Sequence, residues 1–326
     1  MTDTAEGKEI GMEIITGRDF KLENSSVSLG KFDGVHRGHR FLLSRVLEQR
    51  EHTPTVFTFQ MGADSERLYV QHEKDRILEG LGIEREIVFP FDSLTKNLSA
   101  EDFVRKVLIG KLDARHICVG EDFGFGKNRQ GNADTLREYQ KEYGYELEIL
   151  PKLTLEEQVI SSTRVRDCLL RGELEKVNAL LGQAYFIYGR VAHGKALGRT
   201  LKMPTANLIP PKGKMLPPFG VYATLVSVDG RQYRGVTNVG KKPTVGEFCT
   251  GVETFIMDFD RDIYGREIEV SFYHFLRTEK KFPDVDALVS QINRDKVAAM
   301  EYFDAGLKDS WRDIRLEDKY EKIWCE

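Results

Sequence analysis

A chain of 326 residues, 40% of them hydrophobic and 31% charged, is long for one core and fits two globular domains of about 150 residues each. Its 48 basic and 52 acidic side chains leave a formal charge of -4, so no overall basic field exists to hold nucleic acid or an anionic membrane. The acidic start through Glu13 reads as neither signal nor transit peptide, no long apolar run follows, and four cysteines without a CxxC pair argue against a zinc site or a disulfide framework. The expectation is a cytoplasmic protein, a monomer or weak homo-oligomer, that binds small molecules and neither nucleic acid nor membrane.

The first informative stretch begins where a strand signal over residues 27–29 breaks into Gly30-Lys31-Phe32-Asp33-Gly34-Val35-His36-Arg37-Gly38-His39-Arg40. Phe41, Leu42, Leu43, Val46 and Leu47 then repeat at helical spacing, so a helix starts near Gly38. Gly30, Gly34 and Gly38 let backbone approach a ligand, the helix start offers unpaired amides, and His36 and His39 point donors at one anion. The stretch reads as a phosphate cradle, with Gly30, Phe32, Asp33, Gly34 and Gly38 as nucleotide-binding candidates beside the two histidines. It matches neither GxGxxG nor GxxxxGK[ST]; what it contains is HxGH.

Further strands are expected over 54–59, 85–91 and 115–119, separated by helical patterns; the best begins at Ser99, with Asp102 three residues on and Leu98 placed against Phe103. Alternating strands and helices imply a doubly wound parallel sheet, whose ligands bind beyond the carboxyl ends of the strands. The acidic, glycine-rich turn 120–127 follows the fourth strand. Ser161, Ser162 and Thr163 open another helix, and those hydroxyls with Arg166 form a second phosphate-receiving candidate.

Past residue 182 the pattern changes to short strands with turns, which places a boundary between domains 1–183 and 184–326. Strand signals at 220–228 and 232–239 flank Asp229-Gly230, a hairpin, and others follow at 255–259 and 268–276, giving an antiparallel barrel or sandwich. A helix over 285–303 is expected to bury Leu288, Ile292, Val297 and Met300. Within this half, 189–208 carries Gly194, Lys195, Gly198 and Arg199, which can wrap a nucleotide, and a Pro-Thr-Ala-Asn turn whose Thr205 and Asn207 supply neutral oxygens suited to Mg²⁺.

These motifs, in this order, resemble the bacterial bifunctional riboflavin kinase/FMN adenylyltransferases over roughly residues 14–303. The resemblance implies an N-terminal nucleotidyltransferase domain and a C-terminal β-barrel kinase domain with a terminal helix. It also implies ATP as co-substrate, Mg²⁺, and riboflavin, FMN and FAD as substrate or product. Glu253 stands where the family places the kinase base, and Asp122 and Asn238 fall in family segments that meet the flavin. The chain departs from the family at 60–64, Gly124, Lys202-Met203 and Phe255, which leaves Phe57 and Phe59 as aromatic flavin candidates. The alternatives are another nucleotidyltransferase, a flavin- or nucleotide-binding regulator, or an enzyme that keeps one activity.

Overall fold

The computed structural model describes residues 11–60, 62, 65–193, 205–243 and 248–306. They pack as two units, one of residues up to 62 with 74–153, the other of 65–73 with 154–306.

The first unit is built on six parallel strands, β1 (Glu13–Thr16), β2 (Ser25–Leu29), β3 (Thr53–Phe59), β4 (Arg85–Phe89), β5 (Ala114–Gly120) and β6 (Glu146–Leu150), in the order β1-β4-β3-β2-β5-β6. The four expected strands are present. The two edge strands went unforeseen because Glu-Ile-Ile-Thr and Glu-Leu-Glu-Ile-Leu bury no residue fully and carry no continuous apolar run. Every residue of β2, by contrast, is buried, as a central strand covered on both faces must be. From β2 the order runs one way through β3 and β4 and the other way through β5 and β6, so the switch point lies between β2 and β5.

Helices α1 (Arg37–Glu48), α2 (Gln71–Gly80), α3 (Ser93–Lys96), α4 (Ala100–Asp102, continued by a π-helical turn Phe103–Ile109) and α5 (Ala133–Tyr143) join the strands. Ser99 caps α4 through its hydroxyl, which accepts from the Asp102 N–H at 3.0 Å, while the Asp102 carboxylate pairs with Arg105 and Lys106 instead of closing the box. Phe57, Ile87, Phe103, Val107, Leu108 and Ile117 belong to one core cluster. Behind it, His116 links the Ser26 hydroxyl at 2.8 Å to the Glu148 carboxylate at 3.2 Å. That Ser-His-acid line is a structural joint: Ser26 donates to the Val46 carbonyl of α1, and both Ser26 and His116 are fully buried.

The second unit is an antiparallel sheet of β7 (Tyr185–Arg190), β8 (Thr205–Leu208), β9 (Gly220–Val228), β10 (Arg231–Pro243), β11 (Phe248–Ile256) and β12 (Glu267–Arg277), in the order β7-β12-β9-β10-β11-β8. Asp229 at φ 48° and Gly230 at φ 74° make the two-residue turn that matches strand twist. Helices α6 (Ser162–Leu170) and α7 (Leu174–Leu181) precede the sheet; Asn178 of α7 donates to the Phe272 carbonyl and accepts from the Tyr185 N–H.

Helix α8 (Val285–Asp304) covers Val221, Ala223, Leu225 and Val236 with Ala299, Tyr302 and Phe303. Its buried stripe differs from the expected one. Leu288 and Ile292 are half-buried, whereas Val297 and Met300 are 54% and 43% exposed. The stripe runs instead through Asp295, which a polarity pattern rejects; Arg277 neutralises it with two hydrogen bonds at 2.8 and 2.6 Å and lets it lie inside.

Candidate active sites

The cradle leaves the carboxyl end of β2 at the switch point. The Gly30 N–H donates to the Phe57 carbonyl at 3.1 Å, and the Thr58 hydroxyl to the Lys31 carbonyl at 3.3 Å, fastening it to the end of β3. Phe32, Gly34 and Val35 all adopt positive φ, at 49°, 84° and 40°. Glycine does so freely; a phenylalanine and a β-branched valine do so at a cost of about 1–3 kcal/mol each, which burial of both side chains offsets. Asp33 is nearly buried between them, and Gly38 lies in the first turn of α1.

His36 caps α1: its Nδ1 accepts from the His39 N–H at 3.3 Å, so that nitrogen is the unprotonated one. The two imidazoles stack with centroids 3.7 Å apart, and the Phe32 ring lies 5.1 Å from His39. Burial lowers the His36 pKa to about 4 and holds His39 well below the usual histidine range, with the His36 and Lys74 charges pushing the same way. His39 Nδ1 is buried without a hydrogen-bond partner among the described residues. Two neutral rings at a helix start donate to phosphate oxygens and take up a proton when negative charge arrives.

Of the aromatic candidates, Phe57 is a correction: its side chain points into the sheet's covered face, is fully buried and touches Phe89 and Phe103, so it has no face left for a ligand. Phe59, two residues on, is half-buried at the strand end. Asp122 sits in the turn after β5, paired with Lys152 at 2.9 Å. Ser161, Ser162, Thr163 and Arg166 open α6 in the second unit, where the Ser161 hydroxyl accepts from the Arg164 N–H at 3.3 Å and Arg166 donates to the Glu66 carbonyl at 3.5 Å.

The second constellation is set by strand register. Asn207 of β8 stands opposite Glu253 of β11, and Glu253 stands opposite Asn238 of β10. Directly paired residues share a face, so the three side chains form one row. Thr205 pairs with Phe255 one step along the same face, and Lys296 of α8 lies 4.9 Å over the Phe255 ring. The Asn207 Nδ2 donates to the Thr205 carbonyl at 3.3 Å, which identifies its Oδ1 as the opposite end of the amide.

One residue of this row escaped sequence reasoning. Glu279, just past β12, accepts from the Asn238 Nδ2 at 3.3 Å, and a Cβ on Gly240 would come within 2.0 Å of its Oε1. A side chain at position 240 would push this carboxylate aside, and a contact across 41 residues leaves no local pattern. Gly194, Lys195, Gly198 and Arg199 lie outside the described residues, as do Lys202 and Met203.

Comparison with known proteins assigns the two halves. A family model described as FAD synthetase matches residues 18–164 and one described as riboflavin kinase matches 181–303. A bifunctional riboflavin kinase/FMN adenylyltransferase of Haemophilus influenzae is 35% identical over 296 residues, covering 87% of this chain and 96% of the relative; one of Bacillus subtilis is 36% identical, covering 86% and 92%. A solved structure from Streptococcus pneumoniae, described as a macrolide-efflux protein, is 30% identical, covers 89% of this chain and 99% of that one, and superposes with a TM-score of 0.79. Among the described residues no helix is long and apolar enough to cross a membrane. With both family matches in this order and relatives that it spans almost end to end, the chain belongs to the bifunctional riboflavin kinase/FMN adenylyltransferase family.

Proposed function

We infer that this chain carries out two consecutive steps of flavin cofactor synthesis: riboflavin and ATP give FMN and ADP, then FMN and a second ATP give FAD and pyrophosphate. The observation that carries the reading is the register that sets Asn207 and Asn238 on either side of Glu253, in a chain whose other half holds the His36–His39 pair at a parallel-sheet switch point. Functional domains of 1–183 and 184–326 follow from the two motif sets.

In the kinase step Glu253 takes the proton of the ribityl hydroxyl as its oxygen attacks the γ-phosphorus of ATP, and Asn238 holds the flavin side of the row. Thr205 and Asn207 would hold Mg²⁺: two neutral oxygens beside one carboxylate are the hard donors that ion accepts while keeping waters and phosphate oxygens. The ion, when bound, neutralises charge on the transferred phosphoryl group.

In the adenylylation step the FMN phosphate is already an anionic nucleophile and needs no strong base. His36, His39 and the amides opening α1 position the ATP phosphates and stabilise the charge that develops, and the hydroxyls and Arg166 at the start of α6 are the second phosphate-receiving candidate. Phe59 and Asp122 lie on the flavin side of that reaction. Incubation with riboflavin, ATP and Mg²⁺, followed by chromatographic resolution of the flavins, tests the whole reading. FMN and FAD are both expected; FMN alone shows a lost transferase, and neither product overturns the assignment.

A further inference from the structure

The aromatic cluster at the carboxyl edge of the parallel sheet comes to the surface at one place. Phe57, Phe89 and Phe103 are at most 3% exposed, but Phe91, two residues past the end of β4, is 53% exposed. Its ring centroid lies 5.3 Å from that of Phe59 at an interplanar angle of 60°, and Lys96 Nζ lies 5.2 Å over it. Water gains nothing from a phenylalanine held half out of the core beside a second half-buried ring.

Nor is Phe91 on a loose loop. The Gln60 N–H donates to the Phe89 carbonyl at 2.7 Å, joining the ends of β3 and β4. Asp92 caps α3 through the N–H groups of Leu94 and Thr95, at 3.0 and 3.2 Å, and the Thr95 hydroxyl donates back to the Pro90 carbonyl at 2.6 Å. The ring is therefore presented on a segment fixed from both sides, the condition for low-cost recognition of a flat ligand.

Its place defines the ligand. The cradle proposed to hold the ATP phosphates is bonded to Phe57 and Thr58 of β3, and Phe59 follows at the strand end, so an FMN phosphate that meets ATP at the cradle and a ring seated on Phe59 are separated by about 7 Å of strand. A ribityl phosphate spans such a gap. We propose that Phe91, with Phe59, forms the aromatic platform on which the isoalloxazine ring of FMN packs during adenylylation, with Lys96 beside the ring's carbonyl edge. This deepens the proposed function and rests on that reading.

Phe91→Leu keeps apolar bulk and removes the π face; Phe91→Tyr keeps the face. Initial rates of FAD formation, varying FMN and ATP separately, read the effect, and an unchanged KM for ATP with a cooperative urea unfolding transition reports that the half carrying Phe91 is folded. Phe91→Leu is expected to raise the KM for FMN about 5- to 100-fold, the range of one lost aromatic stack, with kcat and the KM for ATP nearly unchanged, and Phe91→Tyr to restore it. Quenching of FMN fluorescence on binding should weaken in the leucine variant and return in the tyrosine variant. An unchanged KM for FMN with unchanged quenching overturns the proposal, and so does a rise confined to the KM for ATP, which would place adenine on the platform. A wild-type protein that makes no FAD from FMN would instead sink the adenylylation reading, and the fluorescence titration alone would then decide Phe91.

Discussion

Asn207 and Glu253 face one another across the ladder between β8 and β11, on the same face of the sheet as Asn238. An amide and a carboxylate held at directly paired cross-strand positions fix the separation between a phosphate-binding end and a proton-accepting end by strand pairing itself. The motif residues lie 46 positions apart in sequence, 253 minus 207, yet no loop has to position either one.

From this arrangement, Glu253→Gln keeps shape and register but cannot take a proton. The turnover rate for FMN formation should fall by about 10² to 10⁴, the usual worth of general base catalysis, with little change in KM for riboflavin or ATP. FAD synthesis from supplied FMN should not change. Steady-state kinetics decide: an unaltered turnover rate rejects Glu253 as base, and a loss confined to KM makes it a positioning residue.

The two chemistries should also be separable. His36→Ala with His39→Ala removes both ring donors and the α1 cap, so FAD formation from FMN is expected to fall at least about 10²-fold, as for lost electrostatic stabilisation of a transition state. Riboflavin phosphorylation, carried by the row on β8, β10 and β11, should persist. Equal loss of both activities in a protein that still unfolds cooperatively would argue that the sites are not independent.

Much of the fold was legible because its central strands carry apolar runs bounded by turn chemistry: β2 through β5 and the Asp229-Gly230 hairpin follow from local sequence. What local sequence hides is pairing at a distance. Asp295 occupies a core position of α8 because Arg277 reaches it, which shifts the buried face away from Val297 and Met300. Phe57 and Phe59 look alike on one face of a strand, and only the position along it shows that the first is core and the second the strand end. Phe91 extends the Ile87, Phe89 alternation and is expected as strand, but the strand ends at Phe89 before Pro90, and Glu279 belongs to no periodic pattern; each is marked by a neighbour brought in by the fold, Phe59 for one and the bare Cα of Gly240 for the other.

Acid should expose the buried histidines. With His36 near pKa 4 when folded and 6.5 when free, the unfolded chain binds the extra proton between those values. The stability gained by keeping the ring neutral is therefore complete above pH 6.5 and is lost as pH falls toward 4, by up to about 1.4 kcal/mol per pH unit for this group alone. His39, lowered in the same direction, adds to the slope. His36→Asn retains a good helix cap, so urea unfolding of that variant should show a shallower loss over the same window. An identical slope in both proteins would mean that the pair does not drive it.

The last prediction concerns a buried charge that serves no reaction. Lys214 Nζ and Glu73 Oε2 meet at 2.8 Å with both side chains completely buried, and the ammonium also donates to the carbonyls of Leu68 and Phe186 at 2.9 and 2.7 Å, under the rings of Tyr69 and Tyr185. The Glu73 carboxylate in turn accepts the N–H groups of Val70 and Tyr188, both at 3.0 Å. Removing one partner leaves the other charge uncompensated, so Glu73→Gln or Lys214→Met should each cost about 3–5 kcal/mol. For an isolated buried pair, replacing both by apolar residues usually recovers that loss. Here it should not, because a Glu73→Leu, Lys214→Met protein would strand the Val70 and Tyr188 N–H groups at about 1–3 kcal/mol each. Urea denaturation of the two single variants and the double distinguishes the cases: a double variant as stable as the parent would show that the backbone contacts carry no weight, and a double as weak as either single would show that the pair exists to satisfy them.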